Sequence, residues 1–161
     1  MKIAVLPGDG VGREVIPEAV KVLQAAANGY FDLELEYGHI GMSGIEATGK
    51  PLPDETYALA ERADAILFGA IGGPEYEQWI RNNKVRSGLL QLRLKLGLNA
   101  NIRPIKLFPE LANVSTLKPQ VIEGLDLLIL RELSSDIYFG EPRGPVHNPK
   151  GERESINTMR Y

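Results

Sequence analysis

An α/β fold with a mostly parallel sheet covered by helices is what this sequence predicts. Short apolar runs alternate with stretches of helical periodicity, the order strand–helix–strand–helix–strand opens the chain, and glycine-rich turns follow the first and third runs.

Residues 3–6, Ile-Ala-Val-Leu, read as a fully buried strand cut off by Pro7-Gly8-Asp9-Gly10. Val15, Ile16, Ala19, Val20, Leu23 and Ala26 then recur at helical spacing, which predicts a helix over 13–27 packed on that strand. Leu33, Leu35 and Tyr37 alternate with acidic residues, the mark of a half-buried strand. Pro53 and Asp54 open a second helix over 55–62, and 65–68 is a third strand closed by Gly69 and then Gly72-Gly73-Pro74. Catalytic and binding sites in such sheets lie beyond the carboxyl ends of the strands, where both glycine-rich turns fall.

From Gly88 the character changes. Leu89, Leu90, Leu92, Leu94 and Leu96 predict a helix with a broad apolar face, ending near Gly97. An extended segment over 101–108, a short helix over 118–123 stopped by Gly124 and a buried strand over 125–130 follow. After Leu133 the sequence turns polar and rich in glycine and proline, so 134–161 reads as a projecting arm or hairpin.

Composition excludes several classes of function. The 161 residues are 43% hydrophobic and 24% charged, ordinary values for a globular protein. A net charge of −3 and a pI near 5.5 give no basic field for nucleic acid or anionic lipid. There are no cysteines, hence no disulfides, thiolate metal sites or cysteine nucleophiles, and only His39 and His147 carry imidazoles. The apolar run after Met1-Lys2 is too short for a signal peptide or a membrane span. The expectation is a cytoplasmic protein without nucleic-acid or membrane partners.

Candidate chemistry rests on a few residues. Arg93, Arg103 and Arg131 can each hold a carboxylate in a bidentate fork, and a small polycarboxylate needs several such donors in a partly desolvated cleft. Arg93 alone reads equally as a snorkelling arginine on a leucine-rich helix. Arg103 and Arg131 each adjoin an apolar segment expected to be largely buried. Leu89 and Leu90 share a helix face with Arg93, which suits a ligand with a branched alkyl end, or plain helix core. Tyr138 carries a phenol that is protonated at neutral pH and can act as a general acid; it reads as well as a surface or dimer-contact aromatic. Gly8-Asp9-Gly10-Val11-Gly12 invites a dinucleotide-binding reading, but Arg13 stands where the fingerprint needs its third glycine, and the segment reads as a plain strand-to-helix turn sooner than as a dinucleotide site.

Taken together, Val5-Leu-Pro-Gly-Asp-Gly-Val-Gly12, Gly88-Leu-Leu-Gln-Leu-Arg93, Asn99-Ala-Asn-Ile-Arg-Pro104 and the segment 131–144 resemble the isopropylmalate dehydrogenase family, among the metal-dependent β-decarboxylating dehydrogenases. The resemblance covers the whole chain and includes Asn157-Thr-Met-Arg-Tyr161. It implies a three-layer α/β/α fold that is not a Rossmann fold, with an incomplete first domain over 1–98 and the start of a second over 99–161. It also implies a homodimer, NAD as cofactor and Mg²⁺ or Mn²⁺ as metal. Matched by motif, Arg93, Arg103 and Arg131 clamp the substrate carboxylates and Tyr138 protonates the enol carbon after decarboxylation. Leu89 and Leu90 wall the isopropyl group, and Val11, Ile71, Gly72, Gly73, Pro74 and Arg86 lie toward the cofactor. No residue present is matched to a metal ligand.

Departures from the pattern sharpen the expectations. Arg86 replaces a customary glutamate facing the nicotinamide, Asn99 replaces an aromatic, and the chain is about half the family's length. The implied activity is NAD-dependent oxidative decarboxylation of 3-isopropylmalate in leucine biosynthesis, with these residues inactive alone. The alternatives are a relative acting on tartrate, malate or homoisocitrate, and a non-catalytic domain acting by association through 134–161.

Overall fold

The apolar run after Met1 forms the centre of a parallel sheet. β1 (Lys2–Gly8) pairs with β2 (Glu34–Tyr37) on one side and β3 (Ala65–Ala70) on the other, in the order β2-β1-β3. These elements come from a computed structural model of the chain that describes residues 1–135 and 139–160. The chain divides into two compact units, Met1–Leu96 and Gly97–Tyr161. No described helix is long and apolar enough to cross a membrane.

In the first unit, β1 is buried on both faces, as a central parallel strand must be. Ile3 and Val5 point to one side and pack with Ile16 and Val20 of α1 (Gly12–Ala27). Leu6 points to the other, among Ile40, Leu52, Ala60 of α3 (Asp54–Arg62) and Leu92 of α5 (Gly88–Lys95). Helices therefore cover both faces and give three layers. Each such buried Val, Leu or Ile side chain stabilises the unit by about 1.5–3 kcal/mol.

Two helices join those that periodicity predicts. α2 (Met42–Thr48) is bracketed by Gly41 and Gly49, and α4 (Pro74–Asn83) starts on Pro74 and ends at Lys84. Lys84 takes a left-handed backbone (φ 52°), and its N–H donates to the carbonyls of Arg81 and Ile80.

In the second unit, β4 (Ala100–Lys106) pairs antiparallel with β5 (Asp126–Glu132) through a register that sets Asn101 opposite Arg131 and Arg103 opposite Ile129. A 3₁₀ turn (Pro109–Val114) and α6 (Pro119–Ile122) lie between them. β6 (Gly144–His147) and β7 (Arg153–Ile156) make a separate antiparallel hairpin within 134–161.

One expectation is overturned here. The run at 125–130 does form a strand, but it is exposed rather than buried: Leu128 and Leu130 retain 63% and 67% of their accessible surface. Among the described residues no second layer covers the side chains of this two-stranded sheet, and apolar sequence alone does not supply one. The burial expected beside Arg103 and Arg131 fails for the same reason.

Candidate functional site

The carboxyl ends of β1 and β3 meet in a tight junction that glycine makes possible. Gly8 has φ +74°, and a β-carbon there would lie 2.0 Å from the Ala70 carbonyl oxygen; one on Gly12 would lie 2.1 Å from that of Pro7. The Asp9 N–H donates to the Ala70 carbonyl at 2.6 Å, fixing the turn after β1 against the end of β3.

Asp9 then organises the rim. Its carboxylate is buried and accepts the N–H groups of Met42 at 2.8 Å, Ser43 at 3.0 Å and Gly72 at 3.3 Å. One side chain thus satisfies the start of α2 and the segment after β3, where helix and loop N–H groups would otherwise lack partners. A groove of about 340 Å³ opens beside it, lined by Asp9, Gly10, Arg13, Met42, Gly72 and Pro74, among others. Gly72 and Gly73 have φ of 136° and 126°, and the space where their β-carbons would stand is empty. A bound group can therefore approach the backbone closely there.

Tyr76 lies on the first turns of α4 and is 2% exposed. Its hydroxyl oxygen accepts the Gly88 N–H at 2.8 Å, at the first residue of α5. Burial raises its pKa above the ordinary phenol value; the nearby Asp9 charge adds to that rise and the Gly88 N–H opposes it. Ser87 caps α5 by accepting the Leu90 N–H at 3.4 Å.

The sequence-predicted residues of this unit fall into two places. Gly72, Gly73 and Pro74 line the groove beside Asp9, Ile71 packs against the core behind it, and Val11 is exposed at the cap of α1. Leu89, Leu90 and Arg93 are all half-buried on α5, one helical face by their spacing, while Leu92 turns inward at 2% exposure. Arg86 is exposed in the segment leading to that helix, and its carbonyl accepts the Gln91 side-chain amide at 2.7 Å.

In the second unit the register brings Arg103 and Arg131 onto one face of the β4–β5 sheet, as diagonal neighbours flanking Asn101. The Arg103 Nε donates to the Asn101 side-chain oxygen at 2.7 Å. Just beyond, Glu132 accepts the hydroxyl and N–H of Ser134 and the N–H of Ser135. The Ser134 hydroxyl chiefly lowers its pKa, to about 2, with the Ser134 and Ser135 N–H groups assisting. Tyr138 lies outside the described residues.

Sequence reasoning missed Asp9 and Tyr76. Asp9 acts on backbone donors from distant segments, which leave no side-chain pattern, although its place inside a glycine-rich turn was visible. Tyr76 is two residues past Pro74 in a polar stretch, without neighbours at helical spacing to mark it as buried.

A model of the isocitrate/isopropylmalate dehydrogenase family matches residues 2–161. The chain belongs to that family. Its family relatives include the 3-isopropylmalate dehydrogenase of Thiobacillus denitrificans, 53% identical over 161 residues, which are 100% of this chain and 45% of that protein. The 3-isopropylmalate dehydrogenase of Chromobacterium violaceum is 51% identical over 161 residues, 100% of this chain and 46% of its own length. The chain thus spans somewhat less than half the length of the curated relatives it matches. Among solved structures of similar fold, the β-decarboxylating dehydrogenase of Thermococcus kodakarensis in its apo form is 32% identical with a TM-score of 0.64. It is matched over 99% of this chain and 40% of its own. Isocitrate dehydrogenase of Methylococcus capsulatus is 25% identical with a TM-score of 0.69, over 99% of this chain and 42% of that one. The α/β fold with its parallel sheet is that of the family.

Proposed function

We propose that this chain is the N-terminal half of an NAD-dependent dehydrogenase that oxidatively decarboxylates 3-isopropylmalate to 4-methyl-2-oxopentanoate, a cytoplasmic step of leucine biosynthesis. The observation that carries this reading is the 53% identity to a 3-isopropylmalate dehydrogenase along all 161 residues. In this reading 1–98 and 99–161 are parts of two domains, and the complete protein works as a homodimer.

The residues take the following roles. Arg93, Arg103 and Arg131 bind the substrate carboxylates through charge-assisted, bidentate hydrogen bonds. Leu89 and Leu90, half-buried beside Arg93, receive the branched alkyl end and exclude water from it. Tyr138 delivers the proton to the enol carbon left after carbon dioxide departs. Val11, Ile71, Gly72, Gly73, Pro74 and Arg86 form the cofactor-side edge, and the open β-carbon positions at Gly72 and Gly73 fit the close approach of a flat or anionic group. NAD, when bound, supplies the acceptor for the hydride that leaves the carbinol carbon.

The metal is a different matter. Among the described residues no three His, Cys, Asp or Glu side chains gather to hold an ion. The described residues do not by themselves fit a metal site, and in this reading the carboxylate ligands for Mg²⁺ or Mn²⁺ are not assigned to any of them.

The test joins this chain to the C-terminal half of the Thiobacillus relative and follows NADH formation with 3-isopropylmalate, NAD and Mn²⁺. Turnover is expected from the joined protein and none from the 161-residue chain alone. Preference for tartrate, malate or homoisocitrate would overturn the substrate and favour a related hydroxy-diacid dehydrogenase, the reading to which Arg86 lends support. Failure of every substrate would overturn the enzyme reading in favour of a domain acting by association.

A further inference from the structure

Around the groove, hydrogen bonds and glycine contacts close into a ring. The Gly72 N–H donates to Asp9, and from Gly72 the chain runs into α4 and Tyr76. The Tyr76 hydroxyl holds the Gly88 N–H at 2.8 Å in a buried setting. Gly88 sits on Pro51 so closely that a β-carbon would lie 2.2 Å from the Pro51 carbonyl oxygen. That same carbonyl accepts the Gly41 N–H at 2.9 Å. Gly41 in turn is pressed on Asp9, with its β-carbon position 2.2 Å from the carboxylate. The circuit returns to its start, and at Gly41 and Gly88 it has no slack for a side chain.

What lies on the two sides of this ring gives it meaning. One arm ends in the Gly72-Gly73-Pro74 edge of the groove, and the other at Gly88, the first residue of α5, the helix that carries Leu89, Leu90 and Arg93. We propose that Tyr76 is a positioning residue: with Asp9 it sets the cofactor-side loop at a fixed distance from the substrate-binding helix. This rests on the functional reading above for the names of the two sides, but the mechanical coupling itself does not. A nucleophile and acceptor held about 3–3.5 Å apart lose rate steeply on small displacement, so a rigid tie between their supports is where hydride transfer would be controlled.

The test has two arms. In amide NMR spectra of the isotope-labelled 161-residue chain, Tyr76→Phe is expected to speed exchange of the Gly88 N–H by about tenfold, the loss of one net hydrogen bond. It is also expected to shift the amides of Gly72 and Gly73, while Val5 and Leu6 in β1 keep their protection. Asp9→Asn should do the converse, moving Gly72 and Met42 and also reaching Gly88. Changes confined to residues beside each substitution, or a uniform loss of protection through β1, overturn the coupling. In the joined enzyme, Tyr76→Phe is expected to lower kcat about tenfold with both KM values within about threefold, and to raise the deuterium isotope effect on the carbinol hydrogen. A lowered kcat with an unchanged isotope effect overturns the positioning role. Inactivity of the unsubstituted joined enzyme would strike the functional reading, and the amide arm would still decide the coupling.

Discussion

The two units use apolar residues in opposite ways. In Met1–Leu96 the strand β1 has Ile3, Ala4, Val5 and Leu6 almost wholly buried between helical layers. In Gly97–Tyr161 the strand β5 is just as apolar, yet Leu127, Leu128, Ile129 and Leu130 remain between 43% and 67% exposed. The difference is topological: a strand with hydrogen-bonded neighbours on both sides and a helix on each face is enclosed, and half of an antiparallel pair is not. Hydrophobicity therefore reports a strand, while burial depends on how many layers the unit can raise around it.

The sharpest way to break that contrast is Leu6→Ala. Leu6 is fully buried, and its truncation is expected to lower the stability of the first unit by about 2–5 kcal/mol, read from denaturant unfolding followed at Trp79. A change below about 1 kcal/mol would mean that the layers around β1 are looser than their burial indicates.

The second unit should show order of a more local kind. The Ser134 hydroxyl, aided by the N–H groups of Ser134 and Ser135, holds Glu132 at a pKa of about 2. A depressed carboxylate pKa means that its contribution to folding is complete above the unfolded value and fades as pH falls toward about 2. Because Glu132 is exposed, solvent screening leaves that contribution small. Ser134→Ala is expected to move the NMR titration midpoint of Glu132 upward toward the ordinary carboxylate range. An unmoved midpoint would show that the hydroxyl is not the main cause.

The smallest effect should come from Leu130→Ser. At 67% exposure the side chain has little burial to lose, and stability should change by less than about 0.5 kcal/mol. A loss comparable with that of Leu6→Ala would show that this surface is covered in solution.

Much of the first unit was legible because its signals are local. The four-residue run at 3–6, the period of Val15 to Ala26 and the Pro53-Asp54 helix start each declare an element, and their alternation declares the parallel sheet. α2 and α4 escaped notice because one is seven residues between glycines and the other presents mainly polar side chains around Tyr76. The adjacency of Arg103 and Arg131 on one sheet face needed the β4–β5 register, which no single segment encodes. Asp9 was least legible of all, since its partners are main-chain donors 33, 34 and 63 residues away.

Gly88 carries a practical consequence for anyone wishing to redirect this scaffold. Seated on the Pro51 carbonyl, it tolerates no β-carbon without displacing the loop beneath, whereas its neighbours Leu89 and Leu90 stand at the half-buried surface. Randomised libraries aimed at new ligands should vary the pair and leave the residue before them untouched. Variants recovered at position 88 would be expected to carry a compensating change near 51.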